Sequence, residues 1–342
     1  MKNNNEKNTS KDIKENKSSK KRYSRLWIAA VLMLAICVLF FEITKGRGLH
    51  GDSRDINNNL NADNSSENLT ADKNKSFGDY LADNNTLELS RIARENRSTV
   101  NNTDYEAISN KLYAWWFKRN DAHEKSGCQE DFDITAYDAY YIVPVSDKRI
   151  YITFDCGYEN GFTPDMLDVL KEEGVTAAFF VTQTFIRDNV ELTKRMKEEG
   201  HLVCNHTVTH PSMPSKSIDE QKNELLTCEN YMKDATGYDM DLFFRPPRGE
   251  YSERTLQMAK DLGYTTIFWS MAYLDYDVNN QPSASHVVEH FGKYYHPGAI
   301  PLIHNVSKAN HDALRDVIRL LKKEGYSFGN LYELRTDMME MK

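Results

Sequence analysis

Asp155, His206, His210, Arg245, Asp275 and His304 are the side chains between residues 146 and 336 best suited to moving protons or holding a metal ion. His206 and His210 stand four apart, close enough to chelate one ion, and Pro211 ends any regular helix there. By itself the pair serves equally well as a surface turn or as satisfied buried imidazoles. Asp155 follows the apolar run 150–154 and precedes Cys156-Gly157, so it is either a catalytic carboxylate or a turn former. In Arg245-Pro246-Pro247-Arg248-Gly249 two prolines fix the backbone and the glycine permits the turn. Such a loop can orient a carboxylate or bind an anionic substrate group, or it can be a salt-bridged surface turn. Carboxylates, imidazoles and guanidinium groups of this kind are capable of catalysis if the fold brings them to one pocket.

Convergence of these residues requires a scaffold that brings distant segments to one place. From Lys148 onward short apolar runs alternate with amphipathic stretches, the pattern of a parallel α/β domain. Strands are expected over 150–154, 176–181, 201–204, 242–244, 265–269, 299–303 and 326–328. Helices are expected over 164–173, 185–199, 218–236, 252–262 and 309–324, with glycine stops at Gly174, Gly200, Gly237 and Gly263 and a Ser252 cap. Asp155, His206, His210, Arg245, Asp275 and His304 then follow the carboxyl ends of successive strands. In a barrel-like parallel sheet these ends share one rim and one pocket.

Thr153-Phe154-Asp155-Cys156-Gly157, His206-x3-His210, Arg245-Pro246-Pro247-Arg248-Gly249, Asp275-Tyr276 and Leu302-Ile303-His304 resemble, in order, the five motifs of the polysaccharide deacetylase family. The resemblance spans about residues 146–336, and Asp155 to Thr163 looks like the muramic δ-lactam-forming de-N-acetylases of spore-forming bacteria. It implies a deformed (β/α) barrel that hydrolyses the N-acetyl group of N-acetylmuramic acid in peptidoglycan already stripped of its stem peptide by an amidase. The freed amine then closes on the lactyl carboxyl to give the lactam of the spore cortex. The family roles carried over are Asp155 as base, His206 and His210 as ligands of a divalent metal, most simply Zn2+, and His304 as acid. Asp275 would orient and charge that acid, and Arg245 would hold the base. Where the family usually has a second aspartate as metal ligand, this chain has Cys156. The thiolate either binds the metal or faces away, leaving two histidines completed by water or by Asp155; the second arrangement is the one expected. Arg248 replaces an aromatic residue common in the family and is expected to pair with the lactyl carboxylate.

The rest of the chain sets the context. Of 342 residues, 40% are hydrophobic and 27% charged, which suits one sizeable globular domain with added segments. The net charge of −8 hides a basic start: removing residues 1–25 leaves roughly −14, which argues against nucleic-acid binding. Residues 1–25 read as a cytoplasmic tail and 26–44 as an uncleaved transmembrane anchor, since no small-residue cleavage pattern follows it. Residues 45–85, rich in Asn, Asp and Ser, read as an extracytoplasmic linker. Residues 86–145 read as an extension packing on a catalytic domain at 146–336. Its aromatic cluster Tyr113, Trp115, Trp116 and Phe117 either stacks on sugars or seats the extension, with seating expected. Cys128, Cys156, Cys204 and Cys228 show no zinc-finger spacing and read as free thiols, a disulfide remaining open for an exported domain. Two other functions fit the sequence: an N-acetylglucosamine deacetylase of wall glycan or exopolysaccharide, and a wall-binding protein with a degenerate site.

Overall fold

A computed structural model describes residues 90–91, 93–95, 97, 103–129 and 131–335. The expected tail, membrane anchor and linker lie outside these residues, as do Leu87, Leu89 and Ile92, whose spacing suggested a helix. Among the described residues no helix is long and apolar enough to cross a membrane.

Seven strands make the central sheet: β1 (Ala139–Tyr140), β2 (Thr153–Cys156), β3 (Ala178–Val181), β4 (Leu202–Asn205), β5 (Asp241–Phe244), β6 (Thr265–Ile267) and β7 (Leu302–His304). Their order is β7-β2-β3-β4-β5-β6-β1, and every pairing is parallel. The sheet curves into a half-barrel. Isolated bridges, Ile142 to Ala299 and Met271 to Pro301, join the chain just after β1 and β6 to the chain just before β7. Because the strands are parallel, all their carboxyl ends emerge at one rim.

The helices are α1 (Thr163–Glu172), α2 (Gln183–Asp188), α3 (Val190–Glu198), α4 (Ile218–Thr236), α5 (Glu253–Asp261), α6 (Ala284–Tyr294) and α7 (Lys308–Lys323). Local chemistry sets several ends. Ser217 and Glu220 form a reciprocal capping box at the start of α4, and Gly237 closes it in the left-handed conformation. The single helix expected over 185–199 is two. Asn189 leaves helical geometry at φ −141° and ψ 49°, and its side-chain amide donates to the Phe185 carbonyl at 3.0 Å, satisfying a group that the next turn would have used. Helix α6 lies where no element was expected.

Strand β2 runs further than expected, to Cys156, while Arg149–Ile150 pairs separately with Ser327–Phe328. Asp155 therefore sits within the strand, where alternation sends adjacent side chains to opposite faces. Asp155 points to the barrel mouth, and Cys156 is fully buried with Phe154, Phe179 and Val181 in the apolar layer under the helices. Phe154 and Phe179 stack at 5.0 Å between centroids, and burial of each such ring contributes about 1.5–3 kcal/mol.

The N-terminal extension enters the same body. Tyr113–Ala114 pairs antiparallel with Glu250–Tyr251, Trp115 is buried against Phe268 at 4.4 Å, and β1 is the edge strand beside β6. Tyr113 and Trp115 thus seat the extension, whereas Trp116 remains exposed. The four cysteines from 128 onward are free thiols.

Candidate active site

Arg245 is fully buried just beyond β5, and its position is fixed on every side. Its Nη1 donates to Asp155 Oδ1 at 2.7 Å, its Nη2 to Thr153 Oγ1 at 2.9 Å and its Nε to the Ile267 carbonyl at 3.0 Å. The guanidinium also lies 4.1 Å from the centre of the Phe180 ring. Burial alone would raise the Asp155 pKa. The Arg245 cation outweighs it, with smaller help from His206 and His304, and holds the carboxyl below its ordinary value. Asp155 is therefore ionised, with Oδ1 committed to Arg245 and Oδ2 3.5 Å from His206 Nε2.

His206 directly follows β4. Its Nδ1 lies 2.8 Å from the Arg245 carbonyl oxygen, which can only accept, so Nδ1 carries the proton and Nε2 the lone pair. His210 packs its ring against His206, 4.9 Å between centroids. Burial lowers the pKa of both, that of His210 to about 4, which keeps each imidazole neutral. The turn between them is strained: Thr207 and His210 have φ of 73° and 56°, and such residues cost about 1–3 kcal/mol each unless their surroundings enforce them. Enforcement comes from hydrogen bonds. Asn205 Oδ1 accepts from Thr207 N–H at 2.9 Å, Thr207 Oγ1 from His210 N–H at 3.0 Å, and Glu224 from the N–H groups of Val208 and Thr209 at 2.8 and 2.9 Å.

At the end of β7, His304 Nδ1 donates to Asp275 Oδ1 at 2.7 Å, and His304 N–H to Asp275 Oδ2 at 2.8 Å. Asn310 in the first turn of α7 adds a 2.7 Å hydrogen bond to the same oxygen. Burial opposes charge on His304, but Asp275, with Asp155 farther off, outweighs it and raises the pKa above the usual histidine value. With Nδ1 held by Asp275, Nε2 is the nitrogen left for chemistry.

Asp155, His206, His210, Arg248 and His304 line one cavity of 690 Å3, together with Tyr158, Trp269 and Tyr276. Arg245 and Asp275 lie behind it and hold Asp155 and His304. Arg248 is exposed at the rim, in a left-handed conformation at φ 60°. Cys156 does not line the cavity, and burial pushes its thiol pKa well up, which disfavours a thiolate. The donor set that fits a divalent cation is therefore two neutral imidazoles beside the Asp155 carboxylate, although no close group of three His, Cys, Asp or Glu stands ready among the described residues.

Sequence reasoning missed Thr153, Asn310 and the aromatic wall of Tyr158 and Trp269. Thr153 stood within the 153–157 motif and its alternation with Asp155 on β2 was a usable signal; Asn310 offered none.

A family model described as Polysaccharide deacetylase matches residues 143–267. The chain is 45% identical over 231 residues to the peptidoglycan-N-acetylmuramic acid deacetylase PdaA of Bacillus subtilis, covering 67% of this chain and 88% of that one. The solved structure of that protein, a family 4 carbohydrate esterase, superposes with a TM-score of 0.65 at 43% identity, over 69% of this chain and all of the other. A family 4 carbohydrate esterase from Bacillus anthracis is similar at 36% identity and a TM-score of 0.57, over 67% and 99% of the two chains.

Proposed function

We propose, from the premise that the chain belongs to the polysaccharide deacetylase family, that it removes the N-acetyl group of N-acetylmuramic acid in peptidoglycan. The observation that carries this reading is the pairing of an ionised Asp155 with a proton-retaining His304 on one cavity, each anchored from behind by an opposite charge. Water adds to the acetyl carbonyl and loses a proton to Asp155, whose Oδ2 is the oxygen not held by Arg245. His304 gives its Nε2 proton to the amide nitrogen as the C–N bond breaks, so acetate and a free amine result. Asp275 keeps the imidazole charged until that transfer and oriented throughout. His206 and His210 are the residues that would hold a divalent metal, most simply Zn2+, which when bound supplies Lewis acidity toward the carbonyl and the attacking water.

Substrate choice rests on Arg248. Its exposed side chain stands at the cavity rim, at a place suited to the lactyl carboxylate that separates muramic acid from glucosamine. That carboxylate is free only after an amidase has removed the stem peptide, so peptide-stripped strands are the substrate, and the freed amine then closes to the muramic δ-lactam of spore cortex. The basic tail and apolar run at 1–44 anchor the enzyme in a membrane with its catalytic domain outside the cytoplasm. Arg248→Ala tests the substrate assignment. One lost charge-assisted hydrogen bond, about 1.4 kcal/mol at an exposed site, lowers kcat/KM on muramic strands about tenfold and leaves glucosamine oligomers unaffected. Equal losses on both sugars refute the role, and faster release from glucosamine by the parent enzyme favours a glucosamine deacetylase.

A further inference from the structure

The turn that carries His206 and His210 is tied to a remote part of the chain by a buried polar relay. Asn205, fully buried at the end of β4, accepts from Thr207 N–H and donates through Nδ2 to the Tyr264 hydroxyl at 3.0 Å and to the Leu225 carbonyl at 2.9 Å. The Tyr264 hydroxyl, also buried, donates to Glu229 Oε2 at 2.5 Å. Glu229, 6% exposed in the middle of α4, receives Arg94 Nε at 2.7 Å and Arg97 Nη2 at 2.9 Å. These two arginines belong to the N-terminal arm, ahead of every strand of the sheet. The arm is secured by Arg94 Nη2 on the Met240 carbonyl and by Arg97 Nε on the Leu262 carbonyl, both at 2.5 Å.

Each donor in this relay meets an acceptor, so the orientation of every group is determined by the next. Such networks are rigid when complete and costly when one member is missing. Glu229 is the weak point: without the arm it is a buried carboxylate with no cation, and its remaining neighbour is the Tyr264 hydroxyl that orients Asn205. Asn205 in turn holds Thr207 in its left-handed conformation, and Thr207 holds His210. On the far side the turn is pinned by Glu224, also on α4, so the strained conformation has two supports and the arm reaches only one.

We propose that Arg94 and Arg97 are positioning residues for the metal site, acting through Glu229, Tyr264 and Asn205 on the turn that presents His206 and His210. Seating of the arm and competence of the site are then one event. The inference rests on the reading of His206 and His210 as metal ligands.

The test is Zn2+ affinity of the full chain, measured by chelator competition, for the wild type, Tyr264→Phe, Arg94→Gln/Arg97→Gln and their combination. Supports behind metal ligands are worth about 10–100-fold in affinity. Tyr264→Phe, which keeps the ring and removes only the hydroxyl, is expected to weaken Zn2+ binding about tenfold. The arm variant is expected to do the same, and the combination to be no weaker than the weaker parent, because all three changes break one path. If the arm variant does not fold, Tyr264→Phe decides alone. Zn2+ affinities within twofold of wild type in folded variants, or losses that multiply in the combination, overturn the relay. A His206→Ala chain that binds Zn2+ like wild type overturns the ligand reading instead, and the relay with it.

Discussion

Asp275 shows how much of the chemistry at this site belongs to pairs rather than single residues. His304 alone, half-buried in the cavity wall, would lose its proton more easily than a free histidine, and chiefly the adjacent carboxylate reverses that. The sign follows directly. With the pKa raised, the acid form survives above the usual histidine range, so the alkaline limb of the kcat profile lies above about pH 6.5. In Asp275→Asn burial is opposed only by the more distant Asp155, the limb moves to lower pH, and kcat at pH 7.5 falls at least about tenfold. An unshifted limb in a pH–rate series would separate His304 from the acid role. Arg245 works the same way on Asp155: Arg245→Leu leaves a buried carboxylate unpaired and costs about 3–5 kcal/mol in urea denaturation, with acetate release lost. A variant of unchanged stability would mean that the ion pair does not hold the core of the site. The ionisable members of the site were legible in the sequence because their types are rare at strand ends. Asn310 was not, and Thr153 only through its alternation with Asp155, since threonine and asparagine are ordinary there and acquire their roles from Arg245 and Asp275.

At the scale of elements, the strand and helix alternation could be read because apolar runs and glycine stops mark it, and α4 spans the expected 218–236 and ends at Gly237. Helix α6 escaped because its buried face is little more than Val287, His290 and Phe291, too few apolar residues for a clear stripe. The Arg245–Gly249 loop carries an element-scale prediction. Gly249 has φ +66°, and a Cβ there would lie 2.8 Å from Trp269 Cη2 and 3.0 Å from Trp115 Cβ. Gly249→Ala therefore moves the wall of the cavity and the contact that seats the extension, costing about 1–3 kcal/mol in chemical denaturation and raising KM. Wild-type stability and KM would show that the loop tolerates a side chain and does not shape the cavity.

For the whole molecule, the parallel half-barrel explains why residues separated by up to 149 positions, Asp155 and His304, stand on adjacent strands in register, β2 beside β7. That β1, from the extension, would form the sheet edge beside β6 was hidden in the sequence, because a two-residue strand carries no periodicity. The anchor proposal is tested by fractionation: the full chain is expected in the membrane fraction and a chain lacking residues 1–44 in the soluble one, and equal partition of the two would refute it. The most direct test of the account is acetate release from peptide-stripped glycan strands with Zn2+ supplied, comparing the wild type with Asp155→Asn. The expected result is acetate matched by free amine on muramic residues, reduced at least about 100-fold in the variant. Equal acetate from both proteins, or strands bound by the wild type with no acetate released, would contradict it.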